Sequence, residues 1–472
     1  MINEIETTWA SKVLFFLLCA TTIFTTLAYG GVHQPIIAVF YLVATVVILL
    51  WAFDAFTAGV LRFNKSLLPI PLFAAFVYGL IQVIPFGSFS DVGGVEGISR
   101  TISLDPFWTL VGAFHFLALF IFLSALLTYI DSAKRLNKIV LLITVFGFAF
   151  AFFAILQSVL SPNKIYGIYE VDYATPFGSF VNRHNFAAFM EMSIAVPLGL
   201  MFVGAVQKDK KLLYVTAVVL MGIALILSGS RGGLISLLAE IFFLIMLTTK
   251  TRGYNQLILK VGLAVLLIAT IVLGSMLIGG ESSLTRLAET ASSEDFSTNR
   301  THIWNVTLSI IKNNFIFGSG YGSYAVAYTP FDSLNGLERV EQAHNDYLQV
   351  LADAGIIGLI IAGFFVFTLF QTGMKNAQTL IPFRRGVAVG ALAGCFAILV
   401  HSLFDFVLHT TAIALMFITL VSLVVVSRSK FPEDSPEVPP KRNKKRRTEN
   451  VIPIGKRRET LNNEEENNKT EQ

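Results

Sequence analysis

Ile139-Val-Leu-Leu-Ile-Thr-Val-Phe-Gly-Phe-Ala-Phe-Ala-Phe-Phe-Ala-Ile-Leu156 contains no charged side chain. A run of this kind fits the roughly 20 apolar residues that cross a bilayer core as a helix. It decides the class of the chain because similar runs recur from Val13 to about residue 427. About twelve spans are expected on that ruler, near 13–30, 35–53, 67–86, 108–130, 138–160, 185–206, 212–228, 233–249, 257–278, 355–374, 385–402 and 408–427. The fold class is therefore an all-α polytopic membrane protein. Composition agrees: of 472 residues, 54% are hydrophobic and 14% charged, where a soluble domain carries about a quarter charged residues. Cys19 and Cys395 both lie in apolar runs and define neither a disulfide framework nor a zinc site. The first run lacks a small-residue cleavage site and is followed by further spans, so it reads as a span and not as a signal peptide.

Cations alternate between the connectors. Arg62 and Lys65; Lys134, Arg135 and Lys138; Lys208, Lys210 and Lys211; Lys250, Arg252 and Lys260; and Lys375, Arg384 and Arg385 all fall in even-numbered connectors. The positive-inside rule places these, and both termini, in the cytoplasm. From about Arg428 the composition changes to prolines and charge runs, which reads as a disordered tail over 428–472. Its basic run Lys441–Arg447 suits a solvated tail near anionic lipid better than a nucleic-acid site. The spans over 1–160 form an N-terminal group, and 161–427 a second region that holds the one large outer loop, 279–354, between the ninth and tenth spans.

Cations on the outer side oppose the topology signal, so each requires a reason. They are Arg100, Lys164, Arg183, Arg231, Arg286, Arg300, Lys312 and Arg339. Arg231 lies in Leu227-Ser-Gly-Ser-Arg-Gly-Gly-Leu234, tight against two spans, at the start of a helix whose free N–H groups favour an anion. The bland reading is an arginine snorkelling to the membrane surface. Arg300 and Trp304 lie four residues apart, on one side of a helix capped by Ser297 or Thr298, with Ile303, Trp304, Leu308 and Ile311 as its apolar stripe. Phe317-Gly-Ser-Gly-Tyr-Gly-Ser-Tyr324 lacks the Lys-Ser/Thr ending of a nucleotide loop and reads as a tight turn that lets the next segment fold back over the site. Helical spacing puts His344, Tyr347, Leu348 and Leu351 on one stripe of a helix ending at Gly355, and histidine is suited to accept a proton near neutral pH. Arg183 and His184 either line the same site or anchor their helix at the interface. His401, Asp405 and His409 would stack as a stripe on a continuous helix, but a turn between two spans is expected there, which favours internal hydrogen bonding over metal binding.

These segments together resemble the O-antigen ligase / O-antigen polymerase superfamily of bacterial envelope glycosyltransferases. The resemblance rests on Asn182-Arg-His-Asn185, Ser228-Gly-Ser-Arg-Gly-Gly233, Arg300 with Trp304, Gly318-Ser-Gly-Tyr-Gly322 and His344-Asn-Asp-Tyr-Leu348 leading to Gly355. It covers about 180–410; the first five spans and the tail add no signature of their own. It implies a C-type membrane glycosyltransferase that moves a glycan from an undecaprenyl-diphosphate carrier to an acceptor on the outer face of the inner membrane. In ligases of the family two arginines and a histidine are functional, and Arg231, Arg300 and His344 match them. His344 then stands as the catalytic base, Arg231 and Arg300 as the diphosphate ligands, and Arg183, His184, Trp304, Asn345 and Tyr347 as candidates for lining the substrate site. No cofactor is implied: neither sugar nucleotide nor ATP is required, and no outer loop carries an Asp-x-Asp metal motif, consistent with the metal-independent action of the ligases.

A ligase would use lipid A–core or another glycan or protein as acceptor, and a polymerase would use a second carrier-linked repeat. The Arg/Arg/His set leans toward the ligase. A lipid-linked glycan transporter would require ionisable residues in the middle of several spans. Here only Glu240 stands so, and it is expected to pair within the bundle.

Overall fold

The computed structural model describes residues 8–89, 96–171, 174–249, 254–278, 300–333, 339–428 and 431. Ser297, Thr298, Arg286 and nearly all of the tail from 428 lie outside them. The described residues form fourteen α-helices: α1 Trp9–Leu27, α2 Gln34–Ala58, α3 Pro69–Gln82, α4 Pro106–Tyr129, α5 Ala133–Leu160, α6 Arg183–Val203, α7 Lys211–Leu227, α8 Arg231–Thr248, α9 Tyr254–Ile278, α10 Arg300–Asn313, α11 Tyr324–Tyr328, α12 Asp346–Asn376, α13 Pro382–His401 and α14 Thr411–Val426. Two small antiparallel ribbons, Gly87–Ser88 with Ser99–Arg100 and Lys164–Ile165 with Tyr169–Glu170, decorate the connectors. The chain is an all-α polytopic membrane protein.

Ten of the described helices are long and apolar enough to cross a bilayer. The other two expected spans appear as the shorter apolar helices α3 and α14. α3 starts at Pro69 and covers 14 residues, about 21 Å at 1.5 Å per residue, less than the roughly 30 Å hydrocarbon core. α14 is buried along almost its whole length, so protein and not lipid surrounds it.

α6, α13 and α14 form the centre of the bundle. α6 is the most buried of the candidate spans, and its closest neighbour is α13. The reason is small residues at the crossing: a Cβ on Gly199 of α6 would lie 2.4 Å from the Gly390 Cα of α13, and Gly386 and Gly394 extend the same row. Such rows let two backbones approach without intervening side chains. Glu240 on α8 is fully buried, and neither carboxylate oxygen has a hydrogen-bond partner among the described residues, so the expected pairing is not found.

The outer-loop region differs in detail from its expected form. α10 buries Val306, Thr307, Ile310 and Ile311, whereas Leu308 is 54% exposed. The inward face is thus rotated from the expected stripe, toward Tyr324, Tyr328 and Ala343. α12 begins at Asp346, inside the expected loop, and continues past Gly355 through a non-helical residue (φ +60°, ψ −157°) that favours glycine. The Gly-rich turn braces this break. Ser319 N and Gly320 N donate to the Ala352 and Asp353 carbonyls at 2.8 and 2.9 Å, and a Cβ on Gly318 (φ +73°) would lie 2.3 Å from Asp353. Tyr78 and Gln82 of α3 donate to the Phe317 carbonyl at 2.8 and 2.9 Å. The turn is therefore a clamp between α3 and α12, and the segment after it packs on α10 and α12.

Candidate functional site

The starts of α6, α8 and α12, the Arg300 end of α10 and one connector build the site. Asn182 caps α6 by accepting from His184 N at 2.9 Å, which fixes His184 in the first turn. Ser230 caps α8 by accepting from Gly233 N at 3.1 Å, and Arg231 is the first residue of that helix. The two following glycines bring the α8 start against its neighbours. A Cβ on Gly233 would lie 2.7 Å from Ala187 Cβ of α6, and one on Gly232 would lie 3.0 Å from the His401 ring. Asn345 caps α12, accepting from Tyr347 N and Leu348 N at 3.0 and 3.1 Å.

α13 ends at His401, so the connector 402–410 turns away from the helix axis. The stripe of His401, Asp405 and His409 does not form, and each residue finds a different partner. His401 Nδ1 lies 3.1 Å from Glu191 Oε2 of α6, with both side chains fully buried. His409 Nδ1 lies 3.2 Å from Asp346 Oδ1. Asp405 becomes the hub: Arg300 Nη2 donates to its Oδ2 at 3.2 Å, His344 Nδ1 lies 3.3 Å from its Oδ1, and His184 Nδ1 lies 3.6 Å from its Oδ2. Arg300 Nη1 also donates to the Phe404 carbonyl, and His184 Nδ1 lies 2.9 Å from Ser230 Oγ, one residue from Arg231.

His344 is not on the α12 stripe. It precedes the capping Asn345 and has a φ of +49°, a conformation that costs a non-glycine residue about 1–3 kcal/mol and concentrates at functional sites. Its ring meets Phe406 edge-on, with centroids 4.8 Å apart. Three of the residues expected to line a substrate site hold this segment in place. The Trp304 indole donates to the Ala343 carbonyl at 3.0 Å, Asn345 Nδ2 to the Leu403 carbonyl at 2.9 Å, and the Tyr347 hydroxyl to the Leu399 carbonyl at 2.7 Å. Arg183 lines a second cavity, of about 390 Å³, with Lys164, Ser228 and Gly229.

Burial alone would raise the Asp405 carboxyl, but His184, His344 and Arg300 outweigh it and hold the group below the usual carboxylate range. Asp405 is thus ionised at neutral pH and only accepts hydrogen bonds. A hydrogen bond from His344 to this carboxylate uses the Nδ1–H, and in that tautomer the Nε2 lone pair faces away from Asp405 as a proton acceptor. Two-thirds of the His344 side chain is shielded and one-third, 33%, is open. The arrangement can hold anionic oxygen on arginine forks while a histidine removes a nearby proton. Among the described residues no group of three or more His, Cys, Asp and Glu could hold a metal ion.

The turn after His401 and the internal hydrogen bonding of His401, Asp405 and His409 are as expected, but the sequence reading does not single out Asp405 as the hub of the site. A signal for it exists: it is an acid set among apolar residues, between two spans, on the side that carries the exceptional arginines. A comparison with curated proteins finds no match. Residues 216–363, the segment that contains Arg231, Arg300 and His344, match the family model described as O-antigen ligase, and this part of the chain is similar to that family.

Proposed function

We propose that this protein transfers a glycan from an undecaprenyl-diphosphate carrier to an acceptor hydroxyl at the outer face of the bacterial inner membrane, in the manner of a ligase acting on lipid A–core. The family supports O-antigen ligase or polymerase chemistry in general. The observation that carries the finer reading is the double engagement of Asp405, with Arg300 at 3.2 Å and His344 at 3.3 Å.

In this reading the acceptor oxygen attacks the anomeric carbon as the bond from that carbon to the diphosphate breaks. The bonding pair leaves with the diphosphate, and the hydroxyl proton goes to His344 Nε2. Arg300 uses only part of its five-donor fork on Asp405 and Phe404. Its remaining donors, with Arg231 at the α8 N-terminus, stabilise charge growing on the diphosphate. Asp405 holds the base and one phosphate ligand in register, so its role is positioning. Both termini and the connectors rich in Lys and Arg face the cytoplasm in this orientation.

The test is transfer by purified protein, given an undecaprenyl-diphosphate glycan with lipid A–core or with more of the same donor. One discrete product on lipid A–core, lost in Arg300→Ala and His344→Ala, supports the proposal. A ladder from donor alone would replace the ligase by a polymerase. No transfer in either mixture, or full activity in both variants, would overturn the reading.

A further inference from the structure

A large cavity with a charged mouth lies at the other end of the same helices, where α6 and α8 finish and α9 and α13 begin. Its volume is about 680 Å³, within the roughly 300–1,000 Å³ of small-ligand sites. Met201 and Phe202 of α6, Val219 of α7, and Leu263 and Leu267 of α9 wall it. Lys260 and Arg385 stand at one end, and no carboxylate lines it. Lys260 Nζ donates to the Thr248 carbonyl at 2.7 Å, and Arg385 Nε to the Ala377 carbonyl at 3.2 Å. Neither cation forms an ion pair with an acid among the described residues, and their charges act against each other. Two cations at the end of an apolar groove are costly without an anion to balance them.

The shape indicates which anion. The lining continues along α9 from Lys260 to Thr270, about 15 Å at 1.5 Å per residue, or about half of a 30 Å hydrocarbon core. A groove one leaflet deep, apolar along its length and cationic at its mouth, matches a phospholipid better than a free phosphate. Basic pockets between helices on the cytoplasmic side are a known way of holding anionic headgroups. α9 packs mainly on α7 and only weakly on α8, which leaves the groove open to the bilayer along one side.

We propose that this cavity is a site for an anionic phospholipid, whose phosphate rests on Lys260 and Arg385 and one of whose acyl chains lies along α9. It is distinct from the Asp405 site and takes no part in the transfer step. A lipid bound only to the folded state stabilises it.

The probe is phosphatidylglycerol, read by native mass spectrometry on full-length protein stripped of lipid in detergent. Wild type is expected to retain phosphatidylglycerol at least tenfold over phosphatidylcholine, and to melt at a higher temperature with the former. Lys260→Gln combined with Arg385→Gln should abolish the preference while leaving the melting temperature in phosphatidylcholine unchanged. Leu263→Trp, which fills the groove and keeps both cations, should also lose retention. Equal retention of the two lipids by wild type, unchanged retention in either variant, or full displacement by inorganic phosphate would each overturn the proposal.

Discussion

The two ends of α6, α8 and α13 treat charge in opposite ways. At one end, the acids are met by partners within the protein: Asp405 by Arg300, His344 and His184, Glu191 by His401, and Asp346 by His409. At the other, Lys260 and Arg385 donate to backbone carbonyls and face a groove without an acid. A site that must hold functional groups in fixed geometry uses internal counter-charges to do so, because preorganised partners need no rearrangement during reaction. An end that only meets lipid can leave its cations for headgroups. The same three helices join both ends, and α6 and α13 pack closely between them at Gly199 and Gly390.

The strongest way to break the contrast is to remove the hub. Asp405→Asn keeps the size of the side chain but removes the charge that fixes the His344 tautomer and one Arg300 contact. Transfer should fall by roughly 10²–10⁴-fold, the usual contribution of a positioned general base, with the loss mainly in kcat and an altered pH–rate profile. A smaller effect is expected for Arg300→Lys, which keeps the charge but lacks the fork that serves Asp405, Phe404 and a phosphate together. A loss of about tenfold, or 1.4 kcal/mol, should appear in kcat/KM.

Disturbing the link between the ends tests stability. Gly390→Leu places a side chain where the α6 backbone passes, and overpacking of this kind costs about 1–3 kcal/mol. It should lower the melting temperature in detergent and reduce folded yield. The smallest effect concerns His409. Burial would lower its pKa, but Asp346 raises it above the ordinary value. A raised folded pKa gives stability that is fully present below the unfolded value of about 6.5 and is lost as pH rises through the folded value. The His409 side chain is 39% exposed, so the pair is worth under about 1 kcal/mol. Wild type should therefore melt slightly above His409→Gln in mild acid, and the difference should fade in mild alkali.

Much of the architecture was legible because lipid imposes a simple rule: a long apolar run must be a helix. All twelve expected spans are helices, ten long and two short. The short ones were not distinguishable by hydropathy, since α14 is apolar because protein surrounds it, not lipid. Among the candidate site residues, Arg231 and Arg300 stood out as cations in connectors that the positive-inside rule disfavours, and His344 as a histidine in the same loop region. Asp405 did not, because it reads there as one of three internally hydrogen-bonded groups, and only the tertiary fold brings Arg300, His344 and His184 onto it. The positive φ of His344 had no marker in sequence either, since it depends on the tertiary holds at Ala343 and Leu403. Trp304, Asn345 and Tyr347, expected as candidates for lining the substrate site, each make a hydrogen bond that fixes the backbone beside His344.

The most direct measurement is a double-mutant cycle on transfer rate with His344→Ala and Asp405→Asn. If Asp405 acts through His344, the double variant should be about as slow as the slower single variant, as for residues that work as one unit. Losses that multiply, or an Asp405→Asn enzyme with wild-type rate and pH profile, would contradict the claim that this carboxylate positions the base.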